Sequence, residues 1–438
     1  MAMKVDPGLT ADLEWRGLIK QTTDPALGKV LAKEPLTAYC GFDPTADSLH
    51  VGNLLPLLAL RRFQLAGHPV IAVVGGATGM IGDPSGKSQE RSLLTPDQIH
   101  KNEQGVTNVI KRFLDTSGPA AAKVVNNKDW FAKLGYVDFL RDVGKHFSVN
   151  MMIGKESVRA RLEDRDHGIS YTEFSYLLLQ SYDYYHLNQV HGCRLQIGGS
   201  DQWGNIVSGI ELIRRISAAH GKEHAETFGL THPLIEKSDG TKFGKTEKGA
   251  VWLTPERTTP YQFYQYFLQT ADADVMNLIK YLTFISKDEA AALEKSLKAA
   301  PEKREAQKAL AQALTELVHG KEELKKVQET TEGLFSGQKS LKELSADSIA
   351  TMFSEAPTTS KPKSSLGGAG WALIDALVES GLCNSKGMAR KDITGGGIYL
   401  NDERVSDAAL NLTNKDLIAG KYLVLRKGKK NYHLVSFT

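Results

Sequence analysis

Five stretches of the chain hold residues whose types and spacing suit the handling of a nucleotide and a small polar ligand. The first runs Tyr39-Cys-Gly41-Phe-Asp43-Pro-Thr45-Ala-Asp47-Ser-Leu-His50-Val-Gly52-Asn53. A strand enters a polar turn and a helix begins near His50. The free N–H groups of a helix start favour phosphate, and Thr45 and His50 add side-chain donors. Gly52 leaves room for an adenine or ribose against the backbone. A plainer account fits the same residues: Asp47 or Ser48 caps the helix and His50 is a surface residue. The second stretch is Gly75-Gly-Ala-Thr-Gly-Met-Ile-Gly82-Asp83-Pro-Ser-Gly86-Lys87-Ser88. It fails as a phosphate-binding GxxxxGK[ST] loop, because the first glycine belongs where Ile81 stands. Asp83 still suits an ammonium group, and Lys87 and Arg91 suit phosphates; the alternative is a glycine-rich turn packing helix on sheet.

The third stretch, Thr172 to Asp183, reads as one helix on which Tyr176, Gln180 and Asp183 fall at i, i+4 and i+7 and so share a face. Three hydrogen-bonding groups there suit a small polar ligand, or a solvated helix face. In the fourth, Gln196-Ile-Gly-Gly-Ser-Asp201-Gln202-Trp203, Asp201 can accept from ribose hydroxyls unless it is only a helix cap, and Gln202 can donate to a carboxylate or phosphate. The fifth is Asp239-Gly-Thr-Lys242-Phe-Gly-Lys245-Thr246, two lysines three apart in a glycine-containing loop. It is either a cationic clamp for a departing polyphosphate or a lysine-rich surface loop.

The elements that must carry these turns alternate in type. Leu36–Cys40, Pro69–Val74 and Cys193–Ile197 read as strands, separated by helical patterns such as Leu54–Ala66 and the series Ile206, Ile210, Ile213, Ile216. Strands separated by helices predict a Rossmann-like, doubly wound parallel sheet with ligands at the carboxyl ends of the strands, where these turns fall. The fold class is thus α/β over residues 1–250, with a helical segment inserted. An α-helical domain over 251–355 follows from helical spacing and the capping-box pattern Ser286-Lys-Asp-Glu289. Two prolines and no apolar residue larger than alanine across 356–365 mark 356–366 as a linker, and a helical run with strand-like segments beyond it reads as a small α+β module over 367–438.

A chain of 438 residues is long enough for two or three domains, and 41% hydrophobic with 24% charged residues is ordinary for a globular protein. No apolar run reaches the ~18 residues of a membrane span, and the first twenty residues carry charges throughout, so neither a membrane span nor a secretory leader is expected. Three cysteines far apart in sequence (Cys40, Cys193, Cys383) point to a reducing cytoplasm and to no zinc site. The net charge of +3 is too even to argue for nucleic acid by itself.

Taken in order, the five stretches make the chain resemble the class I aminoacyl-tRNA synthetases, and among them the bacterial-type tyrosyl branch. His50-Val-Gly-Asn53 is similar to the HIGH signature, with Asn53 for the last histidine. Lys242-Phe-Gly-Lys245-Thr246 is similar to KMSKS. The resemblance implies ATP-dependent activation of L-tyrosine and transfer to tRNA(Tyr), with ATP as substrate, Mg2+ accompanying it and no resident metal. It implies that Thr45, His50, Lys242, Lys245, Thr246, Lys87 and Arg91 face the departing phosphates, and that Gly41, Asp43, Gly52, Asn53, Asp201 and Lys245 hold the nucleotide. Tyr39 and Asp183 would bond a phenolic hydroxyl, Asp83, Tyr176 and Gln180 an ammonium, with Gln202 also on the amino acid. Ser385 to Ile393 with Gly395 to Val405 is similar to a small RNA-binding fold shared with a ribosomal protein, and Lys386, Arg390, Lys391, Arg426, Lys427, Lys429 and Lys430 would meet RNA. A solvated basic edge strand accounts for the last four equally well. A homodimer is usual in this family, with one tRNA across both subunits, although no patch in the sequence marks the interface.

Three rivals are weighed against this reading. A tryptophanyl-type synthetase shares both signatures but not the pairing of Tyr39 with Asp183. An RNA-binding protein without catalysis has no use for His50, Asp83, Lys242 and Lys245. A different nucleotidyltransferase with an HxGN turn would lack the Tyr176, Gln180 and Asp183 face.

Overall fold

The computed structural model describes residues 4–85, 94–155, 158–159, 162, 168–241, 243–246, 249–335, 341–353, 356–428 and 431–438. It separates into two compact units, Met1–Thr258 with Thr270–Leu310, and Thr259–Gln269 with Ala311–Thr438.

The first unit is built on a six-stranded sheet of β1 (Gln21–Thr22), β2 (Ala38–Phe42), β3 (Val70–Val74), β4 (Lys123–Asn126), β5 (Leu195–Gly199) and β6 (Phe228–His232), in the order β1-β6-β5-β2-β3-β4. β2 to β6 are parallel, and only β1 is antiparallel. Strands covered by helices on both faces read as continuous apolar runs, and β3, Val-Ile-Ala-Val-Val, is buried at every position. The helix Leu54–Leu65 packs on β2 and β3 with Leu54, Leu57, Leu58 and Leu60 fully buried, each contributing about 1.5–3 kcal/mol. The chain turns back at Gly67, whose φ of 86° suits glycine. From β2 the winding runs outward through β3 and β4, and from β5 the other way through β6. The topological switch point therefore lies between β2 and β5, where their carboxyl ends diverge. A short hairpin, β7 (Lys245–Thr246) and β8 (Gly249–Ala250), follows.

Two expectations about organisation are overturned. Residues 251–355 do not form one helical domain, because Thr270–Leu310 belongs to the first unit. The buried guanidiniums of Arg16 and Arg62 explain it: Arg16 donates to the carbonyls of Lys280, Thr283 and Ile285, and Arg62 to that of Thr283, closing the C-terminal end of the helix Asp272–Leu282. Nor is 356–366 a linker. It supplies β9 (Thr358–Lys361), the parallel edge of a five-stranded sheet, and Leu366 lies in the core. Prolines at both ends suit an edge strand, and small polar side chains hold it: Thr359 Oγ1 lies 2.9 Å from His433 Nε2, and Ser360 Oγ 2.8 Å from Ser436 Oγ.

That sheet, in the second unit, is ordered β12-β11-β14-β15-β9, from β11 (Ile398–Leu400), β12 (Glu403–Arg404), β14 (Tyr422–Lys427) and β15 (Asn431–Phe437). A separate pair, β10 (Trp371–Ala372) and β13 (Asn411–Leu412), lies beside it in sequence. The helices Leu373–Glu379 and Lys386–Thr394 close the core around Leu373, Leu377, Ile393 and Leu423.

Candidate active site

A cavity of about 330 Å³ opens at the switch point. Tyr39, Gly41, Asp43, Thr45, His50, Gly52, Asn53, Asp83, Tyr176, Gln180, Asp183, Asp201 and Gln202 all line it. Its size falls at the lower end of small-molecule pockets, ~300–1,000 Å³. A larger cavity of about 590 Å³ in the second unit, bordered by Tyr261, Glu323, Lys326, Glu329 and Glu343, is predominantly acidic at its charged positions, the wrong sign for a polyphosphate.

The inner end is organised around Asp183, buried on the helix Tyr176–His191. Its Oδ1 accepts from Trp130 Nε1 at 2.9 Å and its Oδ2 from Asn127 Nδ2 at 3.1 Å. Burial nevertheless pushes the Asp183 carboxyl up to about 8, against those two hydrogen bonds and assisted by the charge of Asp43. Across from it, Tyr39 Oη is buried with no hydrogen-bond partner, and burial followed by the charge of Asp183 raises this phenol well above its ordinary range. A buried carboxyl and a buried, unsatisfied phenol lining one pocket are complementary to a single incoming hydroxyl. The sequence reading missed Asn127 and Trp130, which hold Asp183. Their signal was an Asn-Asn pair ending an apolar strand, with Trp130 three residues on, and it is weak without the fold.

Moving outward, Tyr176 Oη donates to Asp43 Oδ2 at 3.0 Å, and Thr78 Oγ1 to Asp43 Oδ1 at 2.7 Å. Asn127 Nδ2 donates to Thr78 Oγ1, which joins this group to Asp183. Gly75 is required here: a Cβ would collide with both the Asp43 carboxylate and Thr78 Oγ1. Asp43 is thus engaged inward, towards Tyr176 and Thr78, rather than presented only to a nucleoside. Gly41, with nothing near its missing Cβ, leaves the open approach. Because the Tyr176 proton points at Asp43, its oxygen lone pairs are left for an ammonium. A second chain of bonds joins Asp83 to Gln202 (2.7 Å), Gln202 to Gln180 (3.2 Å) and Gln180 to Asn205 (2.9 Å), the last another residue missed. The expected single helix is broken at Ser175, whose hydroxyl turns back to the Thr172 carbonyl, but Tyr176, Gln180 and Asp183 stay together on the longer piece.

At the outer end His50, not Asp47 or Ser48, caps the turn Val51–Asn53 that leads into the helix Leu54–Leu65. His50 Nδ1 accepts from the Gly52 N–H at 3.0 Å, and Asn53 Oδ1 accepts from the His50 N–H at 3.1 Å, a reciprocal capping box. Nδ1 is therefore the acceptor, so the neutral ring carries its proton on Nε2, a donor for phosphate oxygens. Asn53, in the last place of the signature, holds the His50 backbone that carries the ring. Asp47 pairs instead with Arg257 and Lys101. Asp201 sits within the turn Ser200–Gln202 and caps neither that turn nor the next helix, so the capping alternative falls.

The lysine loop meets the same turn. Val251 N–H donates to the Gly244 carbonyl and the Val51 N–H to the Val251 carbonyl, each at 2.9 Å, so the β7–β8 hairpin is tied to the HVGN turn through the backbone. Gly244 has φ 78°, and a Cβ there would press on the Val51 side chain, which accounts for glycine in the middle of the Lys242-Phe-Gly-Lys245-Thr246 stretch. Lys87, Arg91, Lys242, Lys429 and Lys430 lie outside the described residues, and of Lys245 and Thr246 only the backbone is described.

In the second unit the basic residues divide. Arg390 and Lys391 are exposed on the helix Lys386–Thr394. Lys386 pairs with Asp375 and Lys427 with Asp392, both at 2.7 Å. Arg426 is structural: it lies 3.6 Å over the Tyr399 ring, and its two terminal nitrogens bond the Gly428 carbonyl and Asp402.

Known families and proteins match the chain over nearly its whole length. Residues 31–336 match the family described as tRNA synthetases class I (W and Y), and residues 348–435 match the tyrosine--tRNA ligase SYY-like C-terminal domain. The chain is 55% identical over 428 residues to a tyrosine--tRNA ligase of Opitutus terrae, covering 97% of this chain and 98% of that one. It is 51% identical over 432 residues to tyrosine--tRNA ligase 1 of Bacillus cereus, covering 98% and 100%. Among solved structures, a C-terminally truncated mitochondrial tyrosyl-tRNA synthetase of Aspergillus nidulans superposes with a TM-score of 0.68 at 30% identity, over 75% of this chain and 94% of that one.

Proposed function

Because the chain belongs to the tyrosine–tRNA ligases, class I aminoacyl-tRNA synthetases, we propose that its two small substrates meet at the switch point, tyrosine inward and ATP outward over the HVGN turn. The protein activates tyrosine with ATP and transfers the tyrosyl group to tRNA(Tyr). The observation that carries the placement is the distribution of polar groups along one cavity. Asp183 and Tyr39 suit a hydroxyl at its inner end, Asp83, Tyr176 and Gln180 an ammonium midway, and His50 a phosphate at its mouth.

In that arrangement a tyrosine carboxylate oxygen attacks the α-phosphorus of ATP, the bond to the bridging oxygen breaks, and pyrophosphate leaves. No group of the protein becomes covalently attached. The chain's contribution is to hold the two reactants in line and to meet the charge that builds on the phosphates. His50 Nε2–H supplies one donor and Thr45 a second, while Gln202 holds Asp83 and lies beside the carboxylate. The nucleoside rests against Gly41, Gly52 and Asp201. Lys242, Lys245, Thr246, Lys87 and Arg91 are assigned to the phosphates from the sequence alone. Magnesium is expected to arrive on the phosphate oxygens of ATP; among the described residues no group of three or more His, Cys, Asp or Glu is placed to hold an ion.

The test is ATP–pyrophosphate exchange with each of the twenty amino acids in turn and no tRNA. Exchange with tyrosine alone is expected. Exchange with tryptophan instead overturns the roles of Tyr39 and Asp183, and no exchange in folded protein overturns the placement as a whole.

The tRNA partner is expected on Arg390 and Lys391, with Lys386 and Lys427 able to exchange their ion pairs for phosphates. A second copy of the chain is the expected partner of another surface. Tyr136, Val137, Val149 and Tyr171 are each more than half exposed, and the Tyr136 and Tyr171 hydroxyls stand 3.5 Å apart. Exposed apolar side chains of this size are what a contact between subunits would bury. Val137→Asp is expected to convert a dimer to monomers in sedimentation velocity; a parent protein that is already monomeric sinks the idea. No helix among the described residues is long and apolar enough to cross a membrane, and the cytoplasm is the compartment proposed.

A further inference from the structure

Three polar side-chain atoms of residues lining the cavity are buried without a hydrogen-bond partner: Tyr39 Oη, Gln196 Oε1 and His232 Nε2. The first is explained by the incoming hydroxyl. The third belongs to no signature and is the last residue of β6. His232 is only 4% exposed. Its Nδ1 lies 3.1 Å from the Pro233 carbonyl oxygen, which can only accept, so Nδ1 carries the ring proton and Nε2 presents a lone pair. Burial holds the ring down to about 4, so it remains a neutral acceptor near pH 7. A buried acceptor with nothing to accept from is costly, and in a ligand cavity the donor is supplied by the ligand or by a water that the ligand displaces.

The sheet decides which ligand. His232 is paired with Gly199 at the end of β5, and β6 lies on the side of β5 away from β2, β3 and β4. Asp183 is held by Asn127, beyond the end of β4, so the phenol end of the cavity lies on the other side of the switch point. Strands are ~4.8 Å apart, which places His232 one strand outward from the turn that carries Asp201. Leu234, two residues further, is half exposed and also lines the cavity, an apolar surface suited to a flat base. The donors available on that side are the adenine amino group and the ribose hydroxyls.

We propose that His232 Nε2 accepts a hydrogen bond from the nucleoside of ATP, and that His232 is therefore a nucleotide-specificity residue of this enzyme. The inference rests on the placement of ATP over the outer end of the cavity. It adds a contact from β6 to those assigned on β2 and β5.

The test is tyrosine-dependent pyrophosphate exchange with ATP, 2′-deoxyATP, 3′-deoxyATP and purine riboside triphosphate, which lacks the amino group. The parent protein, His232→Ile and His232→Gln are compared. Isoleucine suits a buried strand and removes the acceptor, while the glutamine carbonyl can replace it. His232→Ile is expected to raise KM for ATP about fivefold, with kcat and KM for tyrosine little changed. One analogue is expected to be disfavoured about fivefold by the parent and not by His232→Ile, and His232→Gln to restore the parent pattern. The identity of that analogue tells the amino group from a hydroxyl. Equal penalties for every analogue in parent and His232→Ile overturn the proposal, as does a rise confined to KM for tyrosine. Should His232→Ile not fold, His232→Met provides the same comparison. Failure of the parent to exchange at all sinks the ATP placement instead, so the two failures are distinguishable.

Discussion

Asp183→Asn is expected to lower kcat/KM for tyrosine by about 10- to 100-fold without a matching loss for phenylalanine, measured at high enzyme concentration. A hydrogen bond to a charged group contributes about 1.5–3 kcal/mol, and only the substrate with a hydroxyl makes it. A pocket built to bond a hydroxyl rejects the analogue without one because its own polar groups are then left unpaired, tyrosyl enzymes being the standing example. Here the group left without any partner is Tyr39 Oη, while Asp183 keeps only its bonds from Trp130 and Asn127. The same substitution has an opposite effect on the empty protein. With its carboxyl raised to about 8, Asp183 keeps a proton in the folded state that it releases on unfolding above its ordinary value of ~3.9. Its contribution to stability is complete below that value and is lost as pH rises towards 8. The melting temperature of Asp183→Asn is therefore expected to fall less than that of the parent between pH 6 and 9. A bound phenol donates to the carboxylate and favours its ionised form, so tyrosine binding near pH 7 is expected to release a proton. Calorimetry in two buffers of different ionisation enthalpy measures that release. Unchanged discrimination against phenylalanine in Asp183→Asn would refute the assignment.

What could be read ahead of the structure follows from how parallel sheets are made. Buried strands are apolar and end abruptly in Gly-Gly or in polar turns, so Tyr39 to Asn53, Gly75 to Asp83 and Gln196 to Gln202 stood out, and all border one cavity. Helical spacing likewise brought Tyr176, Gln180 and Asp183 to one face, although the break at Ser175 depends on a single hydroxyl. Residues that act through others left no pattern. Trp130 and Asn127 matter because β4 ends beside the helix that carries Asp183, a relation made by the fold. His232 is a polar residue at the end of a buried strand, and its unpaired nitrogen exists only once the tautomer and the burial are known. The reading of 356–366 failed for the converse reason. An edge strand held by Thr and Ser hydroxyls has the composition of a linker, and what marks it as structure is its partner β15, some seventy residues away.

His50→Ala is the other large effect expected, and the double use of this ring makes it testable in parts. Nδ1 holds the Gly52 N–H, and on the proposed placement of ATP Nε2–H faces the phosphates, so alanine is expected to remove a transition-state donor and a cap together. Loss of one donor aimed at developing charge lowers kcat by about 10²–10³-fold. Loss of a cap costs ~1 kcal/mol of stability, which lowers the melting temperature but does not by itself change kcat at a temperature where the protein stays folded. Asn53→Ala separates the two further, because it removes the acceptor for the His50 N–H and leaves the imidazole in place. Its expected result is a smaller loss, roughly tenfold, since a misaimed donor retains part of its effect. Single-turnover formation of tyrosyl-adenylate gives the chemical step directly. A loss in His50→Ala that appears in KM for ATP with an unchanged chemical step would show ground-state binding only, and would remove His50 from the stabilisation of the departing pyrophosphate. A loss in Asn53→Ala as deep as that in His50→Ala would show that the turn acts as one unit, with the backbone N–H groups of Gly52 and Asn53, rather than the ring, meeting the phosphates.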